Sequence, residues 1–144
     1  ERTKGPVCDQ EYMSEIEGVF CVGNALHVND LVDYVTENAA AAGKNSAHYE
    51  GKERIRVPIR AGNGTAYVVP ERLNLSASLE HVTLYFRSAR EMRNAILKIK
   101  IDGKIVFEKK YPVVRPPEME RLSVDFSDFS IRKNQMVTVC LEEA

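Results

Sequence analysis

The rhythm of apolar and polar positions changes near Gly51. Before it, Val19-Phe20-Cys21-Val22 reads as a strand and leads through Gly23-Asn24 into a stretch where Leu31, Val35, Ala39 and Ala42 recur at helical spacing. Asn29, Asp30 and Asp33 are candidate N-caps for that helix. The alanine run 39–42 suits close packing against other backbone, and Gly43 sits inside the pattern at a cost of about 1 kcal/mol relative to Ala. The helix is expected to end near Tyr49, with Gly51 as its C-terminal stop.

Beyond Gly51 the pattern is that of strands. Ile55–Ile59 alternates, although Pro58 confines it to an edge or a bulge. Ala66–Val69, Val82–Phe86 and Ala95–Ile101 are rich in β-formers. Asp102-Gly103 joins the last of these to Lys104–Glu108 and is the strongest hairpin signal in the chain. Leu122–Phe126 and Met136–Leu141 complete the set. About seven short strands separated by turn signals predict an antiparallel β-sandwich, immunoglobulin-like in architecture only, since there is no Trp and no Cys…Trp…Cys pattern.

The two parts do not make one ordinary domain, because one strand and one amphipathic helix cannot bury both of their faces. Either they pack on the sandwich, or their partners lie upstream of Glu1. The fold class is therefore read as α+β: a strand-turn-helix unit over residues 1–50, then a β-sandwich over residues 51–144.

Composition narrows the function classes. Twenty basic and twenty-one acidic residues among 144 give a formal net charge of −1, which offers no footprint for nucleic acid or for an anionic membrane surface. The longest apolar runs are strand-sized, so no membrane span is expected. Cys8, Cys21 and Cys140 form no CxxC pair, so spacing supports neither a zinc site nor a redox dithiol. Free thiols and the lack of a signal peptide fit a cytoplasmic setting. A start at Glu1 rather than Met hints at processing or excision.

Residues 5–49 resemble the C-terminal end of the FAD domain in the pyridine nucleotide-disulfide oxidoreductase family, near the thioredoxin-reductase-like flavoproteins. The resemblance rests on Gly5-Pro6-Val7-Cys8-Asp9, on Ser14-Glu15-Ile16-Glu17-Gly18-Val19-Phe20-Cys21-Val22-Gly23-Asn24, and on the helix tail Ala41-Ala42-Gly43-Lys44-Asn45-Ser46-Ala47. His27-Val28-Asn29-Asp30-Leu31-Val32-Asp33 is similar to a bacterial subgroup of the family that carries an extra C-terminal β-domain, which would account for Gly51 onward.

The resemblance implies a C-terminal part of an FAD-dependent NAD(P)H oxidoreductase, inactive alone. It would contribute one edge of the flavin site plus a docking or oligomerisation β-domain. Its partners would be the remaining FAD and NAD(P) domains, with a homo-oligomer as a further expectation. Gly23 would let the chain turn at the C-terminal end of a parallel strand, where ligands of open α/β sheets bind. Asn24 would stand where the family has an Asp that bonds the ribityl or pyrophosphate part of FAD. His27 is a candidate partner of the isoalloxazine ring, against the plainer reading of a solvated loop histidine. By position Thr36-Glu37 replaces an Arg-Gln pair of the family, which makes Glu37 a candidate cofactor contact.

Other features read more plainly. Asp30 and Asp33 are explained by helix capping, and Cys21 by burial in the strand as a small hydrophobe. Gly62-Asn63-Gly64-Thr65 lacks the Lys and the spacing of a P-loop and reads as a turn. Lys98, Lys100, Lys104, Lys109 and Lys110 read as a solvated sheet face that protects an edge. The competing hypothesis is a stand-alone β-sandwich binding module with a helical extension. An uncovered apolar face on the helix would discriminate against it.

Overall fold

The computed structural model describes residues 3–144. The described residues form a short 3-10 turn (Gly23–Ala25), one α-helix, α1 (Val32–Ala47), and eight strands: β1 (Arg56–Ala61), β2 (Thr65–Val69), β3 (Arg72–Asn74), β4 (Val82–Ser88), β5 (Met92–Ile101), β6 (Lys104–Val114), β7 (Glu120–Val124) and β8 (Val137–Glu143). The fold is α+β and mostly β, as the sequence predicts. The strands form a five-stranded sheet, β3-β1-β8-β5-β6, and a three-stranded sheet, β2-β4-β7.

Alternation along the strands builds the core between these sheets. Leu84 and Phe86 of β4 meet Leu97 and Ile99 of β5 and Val137, Val139 and Leu141 of β8 in one buried cluster. The β5–β6 hairpin turns at Asp102 and Gly103, whose φ angles of 47° and 85° are those of the left-handed turn that matches strand twist. The loop 62–64 is a turn, as expected, and is pinned against β8: the Asn63 carbonyl accepts the Leu141 N–H at 2.8 Å.

Several expectations need correction. The sandwich is not wholly antiparallel. β1 pairs antiparallel with β3 through Arg56, Val57 and Pro58, then parallel with β8 through Ile59, Arg60 and Ala61. Pro58 sits at this change of partner, where its missing N–H interrupts little. The short β3 went unrecognised because Arg72-Leu73-Asn74 carries no alternating signature. Lys98 and Lys100 stand on β5, an inner strand, and pair with Glu142; only Lys104, Lys109 and Lys110 belong to the edge strand β6.

The run 19–22 does not form a strand. A β-strand needs neighbours, and this run finds only a single bridge, between Phe20 and Met13. A tight loop closed by the Ser14 N–H to Val19 carbonyl bond carries the chain between them, with Gly18 at φ 75°. Cys21 is accordingly half-buried rather than inside a strand.

The N-terminal residues pack on the sandwich. Asp9 has a fully buried carboxylate that takes Arg54 at 2.6 Å and Arg56 at 3.2 Å, and its other oxygen accepts the N–H groups of Glu11 and Met13. The Cys8 carbonyl accepts the N–H groups of both Glu71 and Arg72 at 3.1 Å. Helix α1 crosses the outer face of the three-stranded sheet. Of the expected stripe Ala42 is buried and Val35 half-buried, but Leu31 and Ala39 are exposed, and the inward side is completed by Tyr34, Asn38 and Asn45. Polar groups decide the face: Asn38 receives the Tyr12 and Tyr85 hydroxyls, and Asn45 donates to the Glu11 carbonyl. No helix among the described residues is long and apolar enough to cross a membrane.

Candidate functional site

The segment between the Gly23–Ala25 turn and the start of α1 has two distinct sides. Leu26 and His27 are buried, whereas Asn24, Val28, Leu31 and Val32 are exposed. Val32 is 80% accessible and Val28 63%, high values for apolar side chains. The segment therefore behaves as a plate, fixed on one side and open on the other.

Gly23 begins the 3-10 turn with φ at 64°, a left-handed value that costs Gly little, and its carbonyl accepts the Leu26 and His27 N–H groups. A Cβ there would approach a Val35 methyl to 3.3 Å. Asn24 points outward, and its side-chain oxygen accepts the Asn29 N–H at 3.1 Å. The residue preceding α1 is Leu31, which provides no side-chain cap, so neither Asp30 nor Asp33 does the capping expected of them. The first N–H groups of α1 consequently have no side-chain acceptor from their N-cap and lie beside exposed Val32.

Asp30 is used elsewhere. One carboxylate oxygen takes Arg87 at 2.5 Å and the other accepts the Met119 N–H at 2.6 Å. Burial pushes this carboxyl up, but the Met119 N–H and the Arg87 guanidinium together outweigh it and hold the group below its ordinary value. Arg87, on the outer face of β4, also donates to the Tyr67 hydroxyl at 2.9 Å, to the Val28 carbonyl at 3.2 Å and to the Pro117 carbonyl.

His27 is not a solvated loop residue. It is 1% exposed, with its ring 5.3 Å from that of Tyr85 and 6.1 Å from that of Tyr67, and neither ring nitrogen has a hydrogen-bond partner among the described residues. Burial first, and then the nearby Arg87 charge, pull its pKa down to about 4 against the opposing influence of Asp30. The ring is neutral at neutral pH. Glu37 lies on the exposed side of α1 and pairs with Arg121 of β7 at 2.6 Å; the Arg121 guanidinium also rests over the Tyr34 ring.

The four residues implicated by sequence are thus not brought together. Asn24 stands at the open edge, next to the uncapped start of α1, with the adjoining Gly23 buried. His27 is sealed beneath that edge, and Glu37 is engaged by β7. Sequence reasoning missed Arg87, whose signal was there: Tyr67, Tyr85 and Arg87 put large amphipathic side chains on a sheet face that alternation alone assigns to water.

A separate cavity of about 270 Å³ opens between the N-terminal segment, α1 and β4, floored by Leu26, Val69 and Tyr85 and rimmed by Glu80 and His81; none of the four residues lines it. No group of three or more His, Cys, Asp or Glu side chains among the described residues is placed to hold a metal ion. Burial, first, and the neighbouring Cys21 and Asp9 push the Cys8 thiol up to about 12, so it is a poor nucleophile. Comparison with protein-family models, with curated proteins and with solved structures finds no match.

Proposed function

We propose that this chain is the C-terminal part of an FAD-dependent NAD(P)H oxidoreductase of the pyridine nucleotide-disulfide family, inactive by itself, whose residues 5–49 supply one edge of the flavin site. The observation that carries the proposal is the open side of the 24–32 segment. Asn24, Val28, Leu31 and Val32 are exposed there together with the uncapped N-terminus of α1, and the alanines at 39–41 continue the exposed face along the helix. A complete small protein has little reason to leave such a face bare.

The fit to FAD is partial, and it concerns this edge. The Asn24 amide offers N–H donors and the start of α1 offers backbone N–H groups and the positive end of the helix dipole, a combination suited to electron-rich ligand atoms. Gly23 allows the sharp approach. His27 and Glu37 do not fit, since the first is buried away from the edge and the second is neutralised by Arg121. When bound, the flavin would supply hydride transfer with the nicotinamide. These residues would bind and orient it. The sandwich, which we read as immunoglobulin-like, would be the appended β-domain, and a cytoplasmic setting belongs to the same reading.

A second reading is favoured by a different observation. The buried Asp9 network and the shared Asn38 acceptor knit the N-terminal residues to the sandwich, as a stand-alone binding module with a helical extension would require.

The mass and visible spectrum of the native gene product separate the two. A much longer polypeptide with flavin bands near ~450 nm, as an oxidised flavin cofactor gives, supports the oxidoreductase. A colourless 16.3 kDa protein that stays colourless with added FAD overturns it.

A further inference from the structure

The 24–32 segment is held by the sandwich as well as by α1. Within the segment two bonds restrain its outer side, from the Asn29 N–H to Asn24 and from the Asn29 amide to the His27 carbonyl. The inner side is anchored three times by other elements. Leu26 and His27 are buried against β2 and β4, with Val69, Tyr67 and Tyr85 as neighbours. Asp30 bridges Arg87 of β4 and the Met119 N–H just before β7. Arg87 adds the Val28 carbonyl and the Pro117 carbonyl, so one guanidinium ties the segment to the 115–119 connection as well as to β2 through Tyr67.

This pattern has a physical consequence. Arg presents five N–H donors in a rigid fork, and here they reach four acceptors on three separate pieces of chain. Moving any one of those pieces breaks charge-assisted bonds in a partly desolvated place. The outward side chains Asn24, Val28, Leu31 and Val32 inherit their position from that fork.

We propose that Arg87 is the positioning residue through which the β-sandwich fixes the 24–32 segment. The appended domain then acts as the template that holds the flavin edge in shape, beyond any docking role. What the edge does rests on the function proposed above; the clamp itself does not.

The test has two arms. In the 144-residue chain, hydrogen exchange is followed in Arg87→Ala and in Asp30→Asn, the second a milder change that removes the charge but keeps an acceptor oxygen. Amides at 26–31 and at Glu118 and Met119 should exchange at least about tenfold faster, as expected when charge-assisted bonds that gate a local opening are lost, while β5 and β8 stay protected. Wild-type exchange at 26–31 in both variants overturns the clamp. Should Arg87→Ala fail to fold, Asp30→Asn decides.

In the full-length flavin-bearing protein, Asp30→Asn should weaken FAD affinity several-fold and shift the visible absorption maximum. A loosened segment with unchanged flavin affinity and spectrum overturns the positioning role. A full-length protein that holds no flavin sinks the proposed function instead, and the exchange result then decides the clamp alone.

Discussion

The Tyr85 hydroxyl donates to the side-chain oxygen of Asn38 at 2.9 Å, joining a β4 residue to the middle of α1 in a layer that lies outside the sandwich core. Tyr12 donates to the same oxygen at 2.7 Å. One amide thus accepts from the sheet and from the N-terminal segment at once, which explains why α1 turns a polar side inward. Replacing Asn38 by Leu should cost about 2–4 kcal/mol, because two largely buried hydroxyls lose their acceptor. Tyr85→Phe, which removes one donor, should cost about 1 kcal/mol. Urea unfolding of the two variants checks the ordering, and equal losses would show that the amide accepts only one bond that matters.

Acid should weaken the fold through His27. Its unfolded pKa is near 6.5 and its folded pKa about 4, so between these values the unfolded chain binds more protons and stability falls as pH falls. The loss approaches on the order of 2–3 kcal/mol by pH 4. Asp30 acts in the same direction, because its lowered carboxyl loses its stabilising contribution as it is protonated. The charged or titratable groups facing the ring are Arg87, Asp30, Tyr67 and Tyr85. His27→Phe should leave stability at pH 7 within about 1 kcal/mol and flatten the slope below pH 6.5. Thermal melts between pH 6.5 and about 5, above the range in which Asp30 titrates, would refute the assignment if the slope persisted there.

Two glycines should respond in opposite directions to the same substitution. Gly64 has φ at 72°, and a Cβ there would lie 2.0 Å from the Leu141 carbonyl oxygen, so Gly64→Ala should cost more than about 2 kcal/mol. Gly43 lies in α1 with open space around it, so Gly43→Ala should stabilise by roughly 0.5–1 kcal/mol. Paired melting curves decide, and a destabilising Gly43→Ala would reveal a packing partner at that face.

The Asp9 carboxylate is the deepest charge described. Asp9→Asn would leave Arg54 and Arg56 facing an amide nitrogen and should cost about 3–5 kcal/mol, the usual penalty for breaking a buried pair. Proteolysis should then begin within residues 5–22, whose ion pairs to Arg54 and to Arg56 of β1 depend on that carboxylate. Cleavage starting in the sandwich would contradict this.

Where a strand carried alternating β-formers, as in β4, β5, β6 and β8, its place was legible from sequence, and Asp102-Gly103 marked the hairpin. The sheet partners were not. Whether β1 lies parallel to β8 depends on contacts far apart in the chain, which no local pattern encodes. The helix was legible in extent but only partly in orientation: of the stripe Leu31, Val35, Ala39 and Ala42, Ala42 is buried and Val35 half-buried, while Asn38 and Asn45, polar by type, turned inward because tyrosines and a backbone carbonyl awaited them. The candidate edge at Gly23 and Asn24 came from a motif. Arg87 and Asp30, which hold it, came from tertiary geometry.

β8 lies between β1 and β5, and it is the last of the strands in chain order. During synthesis the five-stranded sheet exists only as two separate halves, β3-β1 and β5-β6, until this strand emerges to join them. A ribosome that stalls before Val137 would therefore display two apolar half-sheets with open edges. The two half-sheets keep open edges until β8 closes them.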